Sequence, residues 1–496
     1  MTDDNGLAQS EGLAVGGRGD FVPPTHVKLF YSLGQIAQSG AFDAALPFVF
    51  FYYTAVLRLP GGLVGLAIAI SLVFDAVVDP LVGSWSDNIG GKLGRRLPLM
   101  IVGTPLICIA LGLLFSPPSH MPTMGLLAWL TVTSVAVRSV ISVFNIPYIA
   151  LGAEMADGYA ERSSVVVWRT LAGVVGGVLV GVLAYNIYFA KAPGLRNGHA
   201  YPGFGWAVAL SVLIACAACC AGTLRYAAAL PQPAKASGSI LRRLPAEVAE
   251  VFRNPSFRLL FATCVIFFVA IGVNATLNNH VLIFVWKFAP WMMQVAGFCL
   301  IGGVLAGIAT APLLARFVEK KTMVIVGLLS IIAVWILLPA LRVTGLVTPT
   351  GLAALPYVGF VVFVAGIGVG FAAIAFPSMM ADVADEHELM FNARREGLYF
   401  AGLGFASKAS AGLGALVGGF AIQSIGFPQN AAQAGVVVPP VMLNELLLAW
   451  GPGAALFAIA GTLVFWPYSI TRKRHEVIAA ELKARRTEAL ALANIA

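Results

Sequence analysis

Five ionisable residues of this sequence stand inside long apolar runs: Asp43, Asp75, Asp79, Arg138 and Lys408, with Arg169 about one turn into another run. A charge at the centre of a membrane-spanning helix costs about 2.5–3.5 kcal/mol on insertion scales and by default marks function. Asp75 and Asp79 are four apart, so a helix places both carboxylates on one face, one turn from each other. Two carboxylates in a low dielectric resist ionising together, and a bound Na⁺ or a shared proton relieves the repulsion. The pair therefore reads as a cation clamp. Asp43, Asp75 and Asp79 set against Arg138 and Lys408 leave one negative charge, which one cation neutralises; counting Arg169 brings the sum to zero. Arg138 and Asp43 read equally well as part of a permanent network locking helices together, and Arg138 also suits an anionic solute such as a uronide.

Around these charges lie Ser142, Asn145 and Tyr148 on one run, Asn274, Asn278, Asn279 and His280 on another, and Gln35 and Gln38 on the first. Each suits a hydrogen bond to a neighbouring helix, and together they suit the lining of a polar cavity, with Trp168, Tyr148 and Trp286 offering ring faces. The candidate cation ligands are Asp75, Asp79, Ser142 and Asn145. Candidate solute contacts are Asp43, Arg138, Tyr148, Arg169, Asn274 and Lys408. A third group lies at the ends of the runs: Asp87, Arg95 and Arg96; Glu154 and Arg162; Asp382 and Arg394. It reads either as a charged latch that forms and breaks as two halves rock, or as basic anchoring at the membrane surface.

The elements that position these residues follow from composition. The 496 residues are 59% apolar and only 11% Asp, Glu, Lys and Arg, with a mean hydropathy of +0.87, against about a quarter charged in soluble domains. That excludes a soluble enzyme. Twelve apolar runs of membrane-crossing length are predicted at 27–57, 60–84, 97–116, 124–154, 164–188, 205–229, 257–286, 290–317, 322–342, 352–381, 396–425 and 440–468. These runs are too long for the alternating strands of an outer-membrane barrel. The expectation is an all-α membrane protein of twelve transmembrane helices in two six-helix bundles: an N-terminal tail 1–26, bundles 27–230 and 257–468, a linker 231–256 and a C-terminal tail 469–496. Residues 239–252 of the linker suit a short amphipathic surface helix.

The net charge of +8 is explained by placement, because 21 of the 31 Lys and Arg fall in the loops and tail assigned to one side. This positive-inside asymmetry puts both termini in the cytosol, in a plasma (inner) membrane, and needs no nucleic acid. The acidic, Gly-rich start lacks the basic and apolar regions of a cleaved signal. All six Cys lie in apolar runs, which reads as buried thiols rather than a disulfide framework or zinc site. Resident cofactors and metals are not expected, apart from a transported Na⁺. Gly-rich rows, including Gly302-Gly303-x-x-x-Gly307 and Gly366-x-Gly368-x-Gly370, read as close helix packing. No phosphate-binding loop or nucleophile–base pair is present, so no enzyme is expected.

Two internal matches divide the chain. Ala153-Glu154-Met155-Ala156-Asp157 returns as Ala381-Asp382-Val383-Ala384-Asp385, and Pro80 with Asp87 returns as Pro312 with Glu319. Each links a run to the sixth run after it, as duplicated halves do. The counterparts of Asp75 and Asp79 are Gly307 and Ala311, so a cation site belongs to the first half alone.

Taken together, Asp75-x-x-x-Asp79-Pro80, the run Asn145-Ile146-Pro147-Tyr148 leading to Glu154, Glu161-Arg162 and Arg169, and Ala381-Asp382-x-x-Asp385 leading to Arg394, Glu396-Gly397 and Lys408 resemble the glycoside-pentoside-hexuronide cation symporters, the melibiose permease family of the major facilitator superfamily. The resemblance implies the major facilitator fold, cation binding at Asp75 and Asp79 with Lys408 beside them, and substrate contact at Arg169 and near Asn145. The melibiose carriers have an acidic residue where Ser39 stands, an Asp at Asn145 and a Trp at Ile149; Asp43 is one turn from Ser39 on the same face. An Asn of the cation motif is Val78 here, which removes a neutral oxygen ligand and favours H⁺ over Na⁺. The function expected is cation-coupled symport of a sugar, glycoside or uronide by alternating access across the lipid bilayer. The rivals are carriage of an amphipathic or lipid-like solute on the same fold, and a non-transporting membrane receptor.

Overall fold

Runs this apolar leave the backbone only one way to satisfy its polar groups in lipid, which is to form helices. The computed structural model describes residues 23–39, 45–89, 93–156, 159–230, 240–393, 395–433 and 435–493. In the first half these form α1 (Thr25–Leu33), α2 (Leu46–Phe51, continued by a π-helical turn Tyr52–Val56), α3 (Gly61–Asn88), α4 (Leu97–Leu114), α5 (Thr123–Glu154), α6 (Tyr159–Val182, with a π-helical turn Leu183–Tyr188) and α7 (Ala200–Ala229). The linker carries α8 (Ile240–Val251). The second half comprises α9 (Pro255–His280, with a π-helical turn Val281–Val285), α10 (Pro290–Leu314), α11 (Lys320–Val343), α12 (Leu355–Phe391), α13 (Glu396–Ser424), then α14 (Pro440–Leu448) and α15 (Ala454–Phe465) joined by a π-helical turn Ala449–Gly453. A last helix, α16 (Arg472–Ala493), follows.

Starts are marked by Pro in the first turn of α4, α9, α10, α12 and α14, where its missing N–H would have had no partner. Asn254 caps α9 by accepting from the Phe257 N–H at 3.1 Å. Among the described residues eleven helices are long and apolar enough to cross a membrane. The first predicted span is divided between α1 and α2, on either side of undescribed residues, and completes the twelve.

The duplication is visible in the packing. In the first half α3 packs on α5, α4 on α5 and α7, and α1 on α6 and α7. In the second half α10 packs on α12, α11 on α12 and α15, and α9 on α13 and α15. These are the same five pairings, six spans later. Across the halves α3 meets α13, α2 meets α9, and the π-helical end of α6 meets α10.

Two segments differ from expectation. The tenth span runs on to Phe391 and ends at Asn392, whose φ of 53° is left-handed, so Asp382 and Asp385 stand on a helix rather than in a loop. The C-terminal tail is α16, which buries Ile478 and Leu482 and sets His475 3.1 Å from Asp385 and 3.5 Å from Asp382. The end of the molecule carrying α8 and α16 is termed the linker face, and the other end the opposite face.

Candidate functional site

Helices α3 and α13 form the most extensive of the contacts between the halves. Near the opposite face a Cβ on Gly419 would lie 2.3 Å from the Gly61 carbonyl oxygen, and one on Gly65 would lie 2.6 Å from that of Ala415. One turn deeper Gly412 is covered by Leu72. Only small residues permit backbones this close. The next rung is ionic: Lys408 Nζ donates to Asp79 Oδ2 at 2.8 Å and lies 3.4 Å from Asp75 Oδ2. Beyond it, towards the linker face, Gly404 has open space where a Cβ would be, and Gly83 meets only Ile146 of its own half. Among the described residues, then, α3 and α13 are closed on each other at the opposite face and parted beyond the ion pair.

The carboxylates of α3 are held from two other helices, α5 and α13. Ser142 Oγ donates to Asp75 Oδ1 at 2.9 Å, and Arg138 Nη1 stands 3.9 Å from Asp75 Oδ2. Asp75 and Arg138 are both buried, at 5% and 3% exposure, whereas Lys408 and Asp79 are about a quarter exposed. Asp79 Oδ1 is buried with no hydrogen-bond partner among the described residues, an acceptor left open. Asp75, Asp79, Arg138 and Lys408 sum to zero charge. The three contributed by the first half sum to minus one, and Lys408 of the second half supplies the compensating charge. In the second half the counterpart Ala311 is buried, and a Cβ at Gly307 would lie 2.4 Å from the Ile367 carbonyl oxygen. Close backbone packing stands where the first half has its carboxylates.

The other candidate residues are distributed differently. Asn145 is buried one turn from Ser142, and among the described contacts none joins it to the two carboxylates. Tyr148 is fully buried, stacked on Tyr31 at 4.5 Å between ring centroids and on Phe144 at 5.7 Å, so both faces are covered and neither is open to a solute here. Arg169 lies beside the Tyr31 hydroxyl, apart from the carboxylate cluster. Asn274 donates an amide N–H to the Trp450 carbonyl at 3.1 Å, tying α9 to the turn between α14 and α15. Trp286 is buried with the Arg342 guanidinium 5.4 Å from its ring centroid, away from the midplane. Asp43 and Arg394 lie outside the described residues.

Among the described residues the end charges pair within their own halves. Glu154 accepts from Arg95 at 2.5 Å and from Arg96 at 2.7 Å, while Arg96 reaches Asp87 at 2.6 Å, all within the first half. Arg162 donates to the Ala156 carbonyl at 2.9 Å, again locally. In the second half Lys320 pairs with Asp382 at 2.6 Å. In this conformation the described members of the group brace helix ends inside each bundle, and among the described residues none of their ion pairs joins the two bundles. Sequence reasoning passed over Thr54, whose Oγ1 is 3.2 Å from His280 Nε2 across the two halves, and Gln423, which accepts from the Gly62 N–H at 3.0 Å. Both are neutral residues near helix ends, and nothing in their spacing marks them.

A family model for MFS/sugar transport proteins matches residues 30–472. The glucuronide carrier protein homolog of Escherichia coli is 22% identical over 92% of this chain and 96% of its own length. The symporter YjmB of Bacillus subtilis is 24% identical over 92% and 94%. Among solved structures, the xylose transporter XylE of E. coli in an inward-open conformation superposes with a TM-score of 0.59 at 14% identity, covering 92% of this chain and 98% of that one. The nucleoside transporter NupG does so at 0.58 and 14%, covering 89% and 99%. At these identities the structural likeness concerns the fold alone. With the family model spanning both bundles and their packing repeated across the chain, this protein belongs to the MFS/sugar transport protein family, as a multi-pass membrane transporter of the glycoside-pentoside-hexuronide symporter type.

Proposed function

We propose that this transporter couples uptake of a sugar, glycoside or uronide to a cation, with H⁺ favoured over Na⁺, at Asp75 and Asp79. The observation that carries the reading is the placement of Lys408, the last rung where the halves still touch, against both carboxylates. Its ammonium supplies the one positive charge that the first-half cluster needs, which is the charge a coupling cation would supply. Cation and Lys408 then exclude each other: forming the pair seen here expels the cation towards the linker face, and loading a cation from the opposite face requires α13 to withdraw. A carrier whose site is neutral with either occupant can rock only in those two states, and that restriction is coupling.

The linker face is assigned to the cytosol, with both termini inside, from the excess of Lys and Arg there. Ser142 and the two carboxylates supply few oxygens, and Val78 adds none, which favours a proton. A glucuronide carrier homolog among the relatives supports a uronide as one candidate cargo. The test is uptake of labelled glycosides, pentosides and uronides into proteoliposomes under an imposed pH or Na⁺ gradient, with Asp79→Asn as control. Accumulation that depends on one gradient and is lost in the variant is expected, and names ion and solute class together. Concentrative uptake surviving in both Asp75→Ala and Asp79→Ala would refute the site.

A further inference from the structure

Among the described residues two cations stand at the carboxylate pair, and they come from different halves. Lys408 reaches it from α13, across the interface. Arg138 reaches it from α5, which packs along α3 within the first half. Arg138 is 3% exposed, and its Nη1 stands 3.9 Å from Asp75 Oδ2, the oxygen that Lys408 Nζ approaches to 3.4 Å. Ser142, one turn further along α5, donates to the other oxygen, Oδ1, at 2.9 Å. When α13 withdraws, Lys408 leaves with it, whereas Arg138 and Ser142 stay beside Asp75 because they share its bundle. A guanidinium keeps its charge throughout, so Arg138 is a cation tethered to the site in every state of the cycle.

That tether bears on which ion the pair can accept. A metal ion touching Asp75 Oδ2 at the ~2.4 Å usual for oxygen ligands lies no more than about 6.3 Å from the Arg138 nitrogen. Two positive charges that close in a buried setting repel strongly. Reaching Asp75 through Oδ1 instead means turning away the proton that Ser142 donates there. A proton needs one oxygen only, and Asp79 Oδ1 is a buried acceptor with no hydrogen-bond partner among the described residues. Charge counting agrees: Asp75, Asp79 and Arg138 sum to minus one, whereas without Arg138 the pair stands at minus two and attracts a metal ion far more strongly.

We propose that Arg138 determines the ion specificity of the pair, as a tethered cation that denies it to Na⁺ and Li⁺ and leaves it to H⁺. The role assigned to Arg138 takes its site from the coupling reading, but it is tested by ion binding without transport, so either can fail while the other stands. Equilibrium binding of radiolabelled Na⁺ is measured on purified wild-type, Arg138→Gln and Arg138→Lys proteins, with choline chloride holding the ionic strength constant and unlabelled Li⁺ as competitor. Saturable Na⁺ binding is expected in Arg138→Gln, at least about tenfold tighter than in the wild type or in Arg138→Lys, which keeps the charge. Adding Asp75→Asn or Asp79→Asn to Arg138→Gln should abolish it. Na⁺ should also raise the melting temperature of Arg138→Gln above its value in choline, with no such rise in the wild type. Equal Na⁺ affinity in the wild type and Arg138→Gln, or binding that survives the Asp→Asn substitutions, would overturn the assignment. Because Arg138 is buried, every variant is purified in NaCl, where the metal ion takes over the charge of the lost guanidinium; failure to recover folded Arg138→Gln under those conditions would overturn it equally.

Discussion

Replacing Gly419 by Ala tests the closed crossing directly. The added methyl would lie 2.3 Å from the Gly61 carbonyl oxygen, 3.0 Å from its carbon and 3.3 Å from the Gly65 Cα. Carbon and carbonyl oxygen approach to about 3.3 Å at closest, so α3 and α13 must separate by about 1 Å. Every one of those neighbours is backbone and none can rotate away. Overpacking of this kind costs about 1–3 kcal/mol, and here the cost falls on one state only, because the contact disappears when the halves part at the opposite face. A differential of that size shifts the population by about 5- to 150-fold. Spin labels on cysteines introduced at Met124 of α5 and Val441 of α14, exposed residues of opposite halves near that face, would report it by pulsed electron resonance as a gain of the longer distance. Gly177→Ala is the control, since a Cβ there meets nothing within 4 Å. An unchanged distance distribution in Gly419→Ala, or an equal shift in Gly177→Ala, would refute the crossing as the closed gate.

Three further outcomes follow from the same geometry. Lys408→Ala strands two carboxylates beside each other and should lower the melting temperature, whereas adding Asp79→Asn should restore much of it without restoring accumulation; differential scanning fluorimetry and uptake read the two effects separately. Gly303→Val drives a side chain into the Phe363 carbonyl, 2.1 Å from the Cβ position, with backbone on both sides, and should abolish recovery of monodisperse protein on size exclusion. Glu154→Gln removes the negative charge of the group shared by Arg95 and Arg96; loss of the charge assistance should cost about 1.5–3 kcal/mol, reduced because Glu154 is 28% exposed, and a thermal unfolding midpoint unchanged by the substitution would contradict that role.

Membrane class, the two-bundle division and the family were legible in the residues alone, because each rests on a local quantity: run length, charge placement, and motif spacing that a helix converts into a shared face. The Asp75/Asp79 pair stood out for the same reason, since four residues is one helical turn. What tertiary structure decided is which distant groups meet. That Lys408, 329 residues from Asp79, stands beside it follows from the family resemblance and from no local spacing, and nothing in the sequence says that Asn274 donates to a carbonyl of the last span or that both faces of Tyr148 are covered. Nor does sequence indicate where the halves touch, because a glycine against a carbonyl and a glycine facing open space are the same residue: Gly419 and Gly404 differ only in what stands across from them.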